Sequence, residues 1–153
     1  MPGISPDIKM PPHIQLAGLR IWVHGRQFPD AEDYDDANWL HATAQCDAQG
    51  ASVTVSGSFI HLSEIASWND QCEALERKLT GTANLECMEP ELSVFLSAKS
   101  LGHIAMQVEI TPDHMTQNHV FTFEIDQTYL TQLIQNCRRL LSQYPLKHVE
   151  RTK

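Results

Sequence analysis

Five carboxylates, Asp30, Glu32, Asp33, Asp35 and Asp36, stand within seven consecutive positions, with only Ala31 and Tyr34 between them. Carboxylates so placed can ligate a hard cation, share a proton in acid–base work, or present a concentrated negative field to a basic partner. A calcium loop needs alternating ligands, a glycine for the sharp turn and a closing bidentate Glu. This segment has no glycine, and no such pattern follows it. Acid–base catalysis needs a nucleophile or base in a motif context, and none accompanies the cluster. The field is what remains. Between Arg26 and Arg77 there is no Lys or Arg at all, while ten Asp and Glu residues fall in that span. One or two of the five acids are expected to satisfy loop amides, as Asp does in turns, leaving the others to face a partner.

The other chemistry-bearing residues yield less. The eight histidines show no HxH or HExxH spacing. His24, His41 and His103 share the solvent-side parity of their strands, but three imidazoles bind zinc only if those strands are neighbours in register. Exposed or hydrogen-bonded imidazoles are the simpler expectation. Cys46, Cys72, Cys87 and Cys137 form no CxxC pair, which argues against a zinc knuckle or a thioredoxin-like motif. Two of them fall on helical apolar stripes and read as small buried hydrophobes. No GxSxG, P-loop or GxGxxG occurs, so the nucleophilic and phosphate-binding signatures are missing. No metal and no cofactor is expected. A non-enzymatic binding protein is the favoured class, ahead of a small enzyme or a small-molecule carrier whose pocket leaves no sequence trace.

The acidic cluster must be held by its neighbours. Phe28 and Pro29 precede it and Asn38, Trp39 and Leu40 follow it, so a loop anchored by burial at both ends is expected. Upstream, Leu19, Ile21 and Val23 alternate with Arg20, Trp22 and His24, the pattern of a strand with one buried face. Leu40, Ala42, Ala44 and Cys46 alternate likewise, and after the turn at Ala48–Gly50 Val53 and Val55 begin a third strand. Trp22 and Trp39 take the face opposite the apolar rows. Each is either covering for the sheet or an aromatic anchor at an interface beside the acids. For Trp39 the expected role is to pin the exit of the loop.

The period then changes. Ile65, Trp68, Cys72, Leu75 and Leu79 recur at three and four residues, which predicts a helix, with Ser63 as N-cap and Gly81 as stop. Strand patterns resume at Leu92–Leu96, Ile104–Ile110 and Phe121–Ile125. Asp126 then caps a last helix along Leu130, Leu133, Ile134, Cys137, Leu140 and Leu141, ended by Pro145. Strands in runs with intervening helices imply an α+β fold: a mostly antiparallel sheet of about six to seven strands with two helices. An irregular arm over 1–12, carrying four prolines, one domain over 13–146 and a tail over 147–153 are expected, with no internal repeat in the sequence.

A net charge of −8 on 153 residues argues against nucleic-acid backbones and anionic membrane surfaces, which are bound through Lys and Arg. No apolar run reaches the length of a membrane span, and MPGISPDIKMPPH has neither a basic nor an apolar leader region. A cytoplasmic location is expected.

With these residues in place, the chain resembles the WapI-type immunity proteins of bacterial toxin–immunity systems. The likeness rests on GRQFPDAEDYDDANWL at 25–40, EPELSVFL at 89–96 and the closing helix that ends LSQYP at 141–145, spaced around a middle helix with Trp68. It runs from about Gly18 to Pro145 and implies a protein that binds and neutralises a cognate toxin domain. A toxin that cuts nucleic acid presents a basic cleft, which carboxylates can occupy as phosphates would. Asp30, Glu32, Asp33, Asp35 and Asp36, with Tyr34 as aromatic anchor, are the expected partner-binding residues, and Trp22 and Trp39 a further interface. Whether the chain also forms a homodimer stays open.

Overall fold

Apolar–polar alternation from Ile14 onward builds a four-stranded antiparallel meander in the order β1 (Ile14–Leu16), β2 (Leu19–Arg26), β3 (Trp39–Ala48) and β4 (Ala51–His61). The structure, a computed structural model, describes residues 10–148, so most of the arm expected at 1–12 and of the tail expected at 147–153 lies outside the described residues. Ile14, Leu19, Ile21, Ala44, Cys46 and Val55 point inward and are buried. Their neighbours point outward, as the pleat requires. There Arg20 pairs with Asp47 and donates to Gln45, which in turn donates to Thr54.

Strand β4 runs directly into helix α2 (Leu62–Lys78). The N-cap is His61 rather than Ser63: its Nδ1 accepts from the Ser63 N–H at 3.2 Å, while Glu64 Oε1 accepts from the His61 N–H at 2.9 Å. A histidine ring nitrogen thus fills the place usually taken by a Ser or Thr oxygen. The helix ends earlier than Gly81, with Leu79 in the left-handed region at φ 56°.

A second antiparallel meander follows, of β5 (Thr82–Glu86), β6 (Leu92–Ala98), β7 (His103–Ile110) and β8 (Val120–Asp126). It runs directly into helix α3 (Gln127–Gln143), which Asp126 caps through the Thr128 N–H. The α+β class and the antiparallel pairing are as expected. Among the described residues the strands number eight, however, in two sheets of four. β1 is too short to show a period, and β5 contributes only Ala83 and Leu85 to the inside.

Four strands and a helix therefore occur twice, a repeat of topology that the residue types conceal. The two helices are each 17 residues long and pack on each other. Their tenth residues, Gln71 and Asn136, perform the same task on opposite halves. Gln71 Oε1 accepts from the Asn84 N–H of β5 at 2.9 Å, and Asn136 Oδ1 accepts from the Gln15 N–H of β1 at 3.0 Å. Each amide thereby satisfies an edge strand that would otherwise offer unpaired groups to another chain. Their eleventh residues, Cys72 and Cys137, are buried, and their twelfth, Glu73 and Arg138, form an ion pair at 2.8 Å. One apolar cluster draws on both sheets and both helices, with Leu133, Ile134, Cys137 and Leu140 of α3 within it.

Candidate functional site

The acidic cluster sits on the connection between β2 and β3, and both strands are bent as they reach it. Their ladders shift register between Val23 and Gly25 and between Leu40 and Ala42. Gly25 (φ 148°) and Gly57 (φ 146°) supply the backbone angles that side-chain-bearing residues avoid at such bulges. The chain then turns at Phe28, whose carbonyl accepts from the Ala31 N–H at 3.1 Å, and makes a single helical turn, α1 (Tyr34–Ala37).

Asp30, Glu32, Asp33, Asp35 and Asp36 are all exposed. Asp33 stands at the N-cap of α1 without a side-chain bond to an amide. Among the described residues none of the five carboxyl groups has a hydrogen-bond or ion-pair partner, so the expectation that one or two satisfy loop amides is corrected. They repel one another in solvent; the nearby Lys147 ammonium and Arg26 guanidinium bond the backbone carbonyls of Pro29 and Ala37 rather than the carboxylates.

The anchoring also differs from the expected burial of Phe28 and Pro29. Phe28 is 45% exposed and Pro29 is exposed. The mount is polar instead. Asn38, fully buried, donates from Nδ2 to the Tyr34 carbonyl at 2.8 Å and to the Lys147 carbonyl at 3.0 Å, and its Oδ1 accepts from the Lys147 N–H at 2.8 Å. Arg26 donates to the Ala37 carbonyl at 2.9 Å and to the Pro145 carbonyl. His61 accepts at Nδ1, so its proton is on Nε2, which donates to the Asp35 carbonyl at 3.0 Å. A neutral histidine and a buried amide thus tie the acidic turn to the start of α2 and to the segment after α3. Every such bond is made to backbone, which leaves the carboxylates outward.

Tyr34 is half-buried, its ring 5.6 Å from that of His61 and 6.4 Å from that of His148. Trp39 packs edge-on against His61 at 5.0 Å, which fits its expected place at the exit of the loop. Trp22 is only 4% exposed, and its indole N–H donates to the Met10 carbonyl at 2.6 Å. The segment before β1 lies over it, so that little of its area is open.

Of the three histidines sharing strand parity, His24 and His41 meet, with ring centroids 5.2 Å apart, whereas His103 pairs opposite Asp126 in the other sheet. Among the described residues no group of three or more His, Cys, Asp or Glu side chains is placed to hold a metal ion. Burial pushes the Cys46 and Cys137 thiols up to about 12 and raises those of Cys72 and Cys87 as well. They are poor nucleophiles in this state. A cleft of about 370 Å³ between α2 and β5 is lined by Ser63, Glu64, Ser67, Gln71, Asn84 and Glu86. Another of about 390 Å³ lies along β6, β7 and β8 beside Phe95, Gln107, Thr122 and Glu124. Both are open at the surface. No helix among the described residues is long and apolar enough to cross a membrane.

Arg26, Asn38, His61 and Lys147, which hold the backbone of the acidic turn, are the residues that sequence reasoning missed. Only His61 carried a signal, since Glu64 follows it at capping-box spacing.

The model of the Immunity protein WapI-like family matches residues 13–145. The chain belongs to that family. The match takes in the acidic connection, both sheets, both long helices and the start of the segment that clamps the acids. No curated protein matches the sequence. Among solved structures, the chain is similar to the crystal structure of WHY1 from Arabidopsis thaliana, with a TM-score of 0.47 and 10% identity over 84% of this chain and 78% of that one.

Proposed function

We propose that this protein neutralises a cognate toxin domain by presenting the acidic turn to a basic surface of the toxin. Asp30, Glu32, Asp33, Asp35 and Asp36 supply the field, and Tyr34 supplies the aromatic contact. The observation that carries the reading is the mount: five exposed, unpaired carboxylates on a turn whose backbone is fixed by Asn38, Arg26 and His61. Crowded like charges cost folding free energy, and a fixed turn lowers the ordering cost when a partner arrives. Such a patch steers a basic partner and makes association fast and salt-sensitive. A nuclease toxin suits this surface, because carboxylates can stand where its substrate phosphates would. The protein then works in the cytoplasm, by binding and without chemistry of its own, and needs no cofactor.

The test uses the cognate toxin domain, sought in the reading frame that neighbours this gene. Replacing Asp33, Asp35 and Asp36 together with Asn should slow association and flatten its salt dependence, while thermal stability stays within about 0.5 kcal/mol of the parent, as for exposed positions. Tyr34→Ala should act on dissociation, by more than about 1 kcal/mol. A triple variant that protects cells and binds as well as the parent overturns the assignment of the acids.

A further inference from the structure

The segment before β1 is fastened to the first sheet by a histidine that must stay neutral. Pairing of β1 with β2 stops at Ile14 opposite Ile21. Pro11 and Pro12 precede it, and neither has a backbone N–H to continue the ladder. The Val23 N–H donates instead to Nδ1 of His13, at 2.9 Å. The His13 N–H donates to the Ile21 carbonyl at 2.8 Å, and the Met10 carbonyl accepts from the Trp22 indole at 2.6 Å. Three bonds thus hold residues 10–13 over β2, with Trp22 underneath and Thr43, 2% exposed, beside it on β3.

An imidazole nitrogen that accepts a hydrogen bond cannot at the same time carry a proton. Protonating His13 at Nδ1 sets two donors against each other and strands the Val23 N–H, which is costly for a buried amide. The titratable group facing His13 from β2 is His24. His24 shares Thr43 Oγ1 through its Nε2 at 2.8 Å and packs against His41 of β3.

We propose that Met10–His13 is a pH-sensitive latch, closed while His13 is neutral and released in acid, where it uncovers Trp22. This device stands apart from the toxin-binding reading. Burial first, and then the charge of His24, hold His13 below the ordinary imidazole value. The group whose folded value is depressed contributes its stability above the unfolded value and loses it as pH falls through the folded one. The latch is therefore shut at neutral pH.

Amide exchange of the full chain, followed by NMR from about pH 8 to about pH 5, tests it. As His13 titrates, exchange at the Val23 amide and the Trp22 indole, corrected for intrinsic rate, should accelerate roughly ten-fold or more, while Ala44 and other core amides stay protected. His13→Asn keeps an acceptor at the position of Nδ1 for Val23 but cannot titrate, and should abolish the transition. His13→Ala should leave both sites open at every pH. The proposal is overturned if Val23 stays protected while His13 titrates. It is equally overturned if Val23 opens only together with the core, or if His13→Asn shows the transition of the parent.

Discussion

Replacing Asn38 with Ala should release the acidic turn from its mount. The side chain is fully buried and makes three short hydrogen bonds, to the Tyr34 carbonyl at 2.8 Å, the Lys147 N–H at 2.8 Å and the Lys147 carbonyl at 3.0 Å, with a longer contact from Arg26 at 3.5 Å. A net contribution of about 1 kcal/mol per bond, with some rescue by water around the segment after α3, gives a loss of about 2–4 kcal/mol. For a chain of this size that corresponds to a fall in melting temperature of roughly 5–15 °C. Urea titration followed by circular dichroism would measure the first figure, and a thermal scan the second. Amide exchange over 33–38 would show whether the loss is local to the turn. Asn38→Asp keeps the acceptor for Lys147 but turns both donors into a carboxylate facing two carbonyls. Its loss should be similar at neutral pH and smaller in acid, where the protonated carboxyl can donate. If Asn38→Ala costs less than about 1 kcal/mol and exchange over the turn is unchanged, the turn is not held as argued and the case for a preformed interface fails.

Other consequences can be checked alongside. Leu133→Ala removes a fully buried side chain from α3 and should cost about 2–5 kcal/mol by urea titration. Gln71→Ala and Asn136→Ala should each cost about 1 kcal/mol and speed exchange at Asn84 and Gln15 respectively, with the double variant close to additive because each amide serves a different sheet. The Arg138 guanidinium, hydrogen-bonded to Glu73, holds that carboxyl below its ordinary value. The pair's stability is therefore present at neutral pH and lost as pH falls through the depressed value, and Glu73→Gln should remove that part of the acid dependence. The effect should be small, since both partners are partly solvated.

How much of this molecule could be read in advance depends on which residues had a period. Alternation along Leu19–Val23 and Leu40–Cys46, and the helical stripe from Leu130 to Leu140, are repeated burial decisions, and each predicted its element. The two strands that escaped notice carry too few inward residues for a period to show: three positions in β1, and Ala83 and Leu85 in β5. The division into two sheets escaped for a different reason. Alternation reports which face of a strand is buried and says nothing of which strand lies beside it. The acidic cluster was legible because charge crowding is a local property of sequence.

Its mount was not legible, and the cause is distance along the chain. Asn38 and Lys147 are 109 residues apart, and Arg26 and Pro145 are 119 apart. A lone Asn or Arg has no pattern until the fold gives it a partner. Burying polar groups is tolerated only when their bonds are complete, and here they complete one another across the ends of the fold. Natural selection could have left this connection a short hairpin like the two residues between β3 and β4. It instead carries twelve residues between β2 and β3, with five unpaired acids outside and a buried amide, an arginine and a neutral histidine fixing the backbone within. A connection needed only to join two strands requires neither the charge nor the clamp. Together they make sense as a surface kept in shape for a basic partner, and Asn38 is the residue at which that argument can be broken.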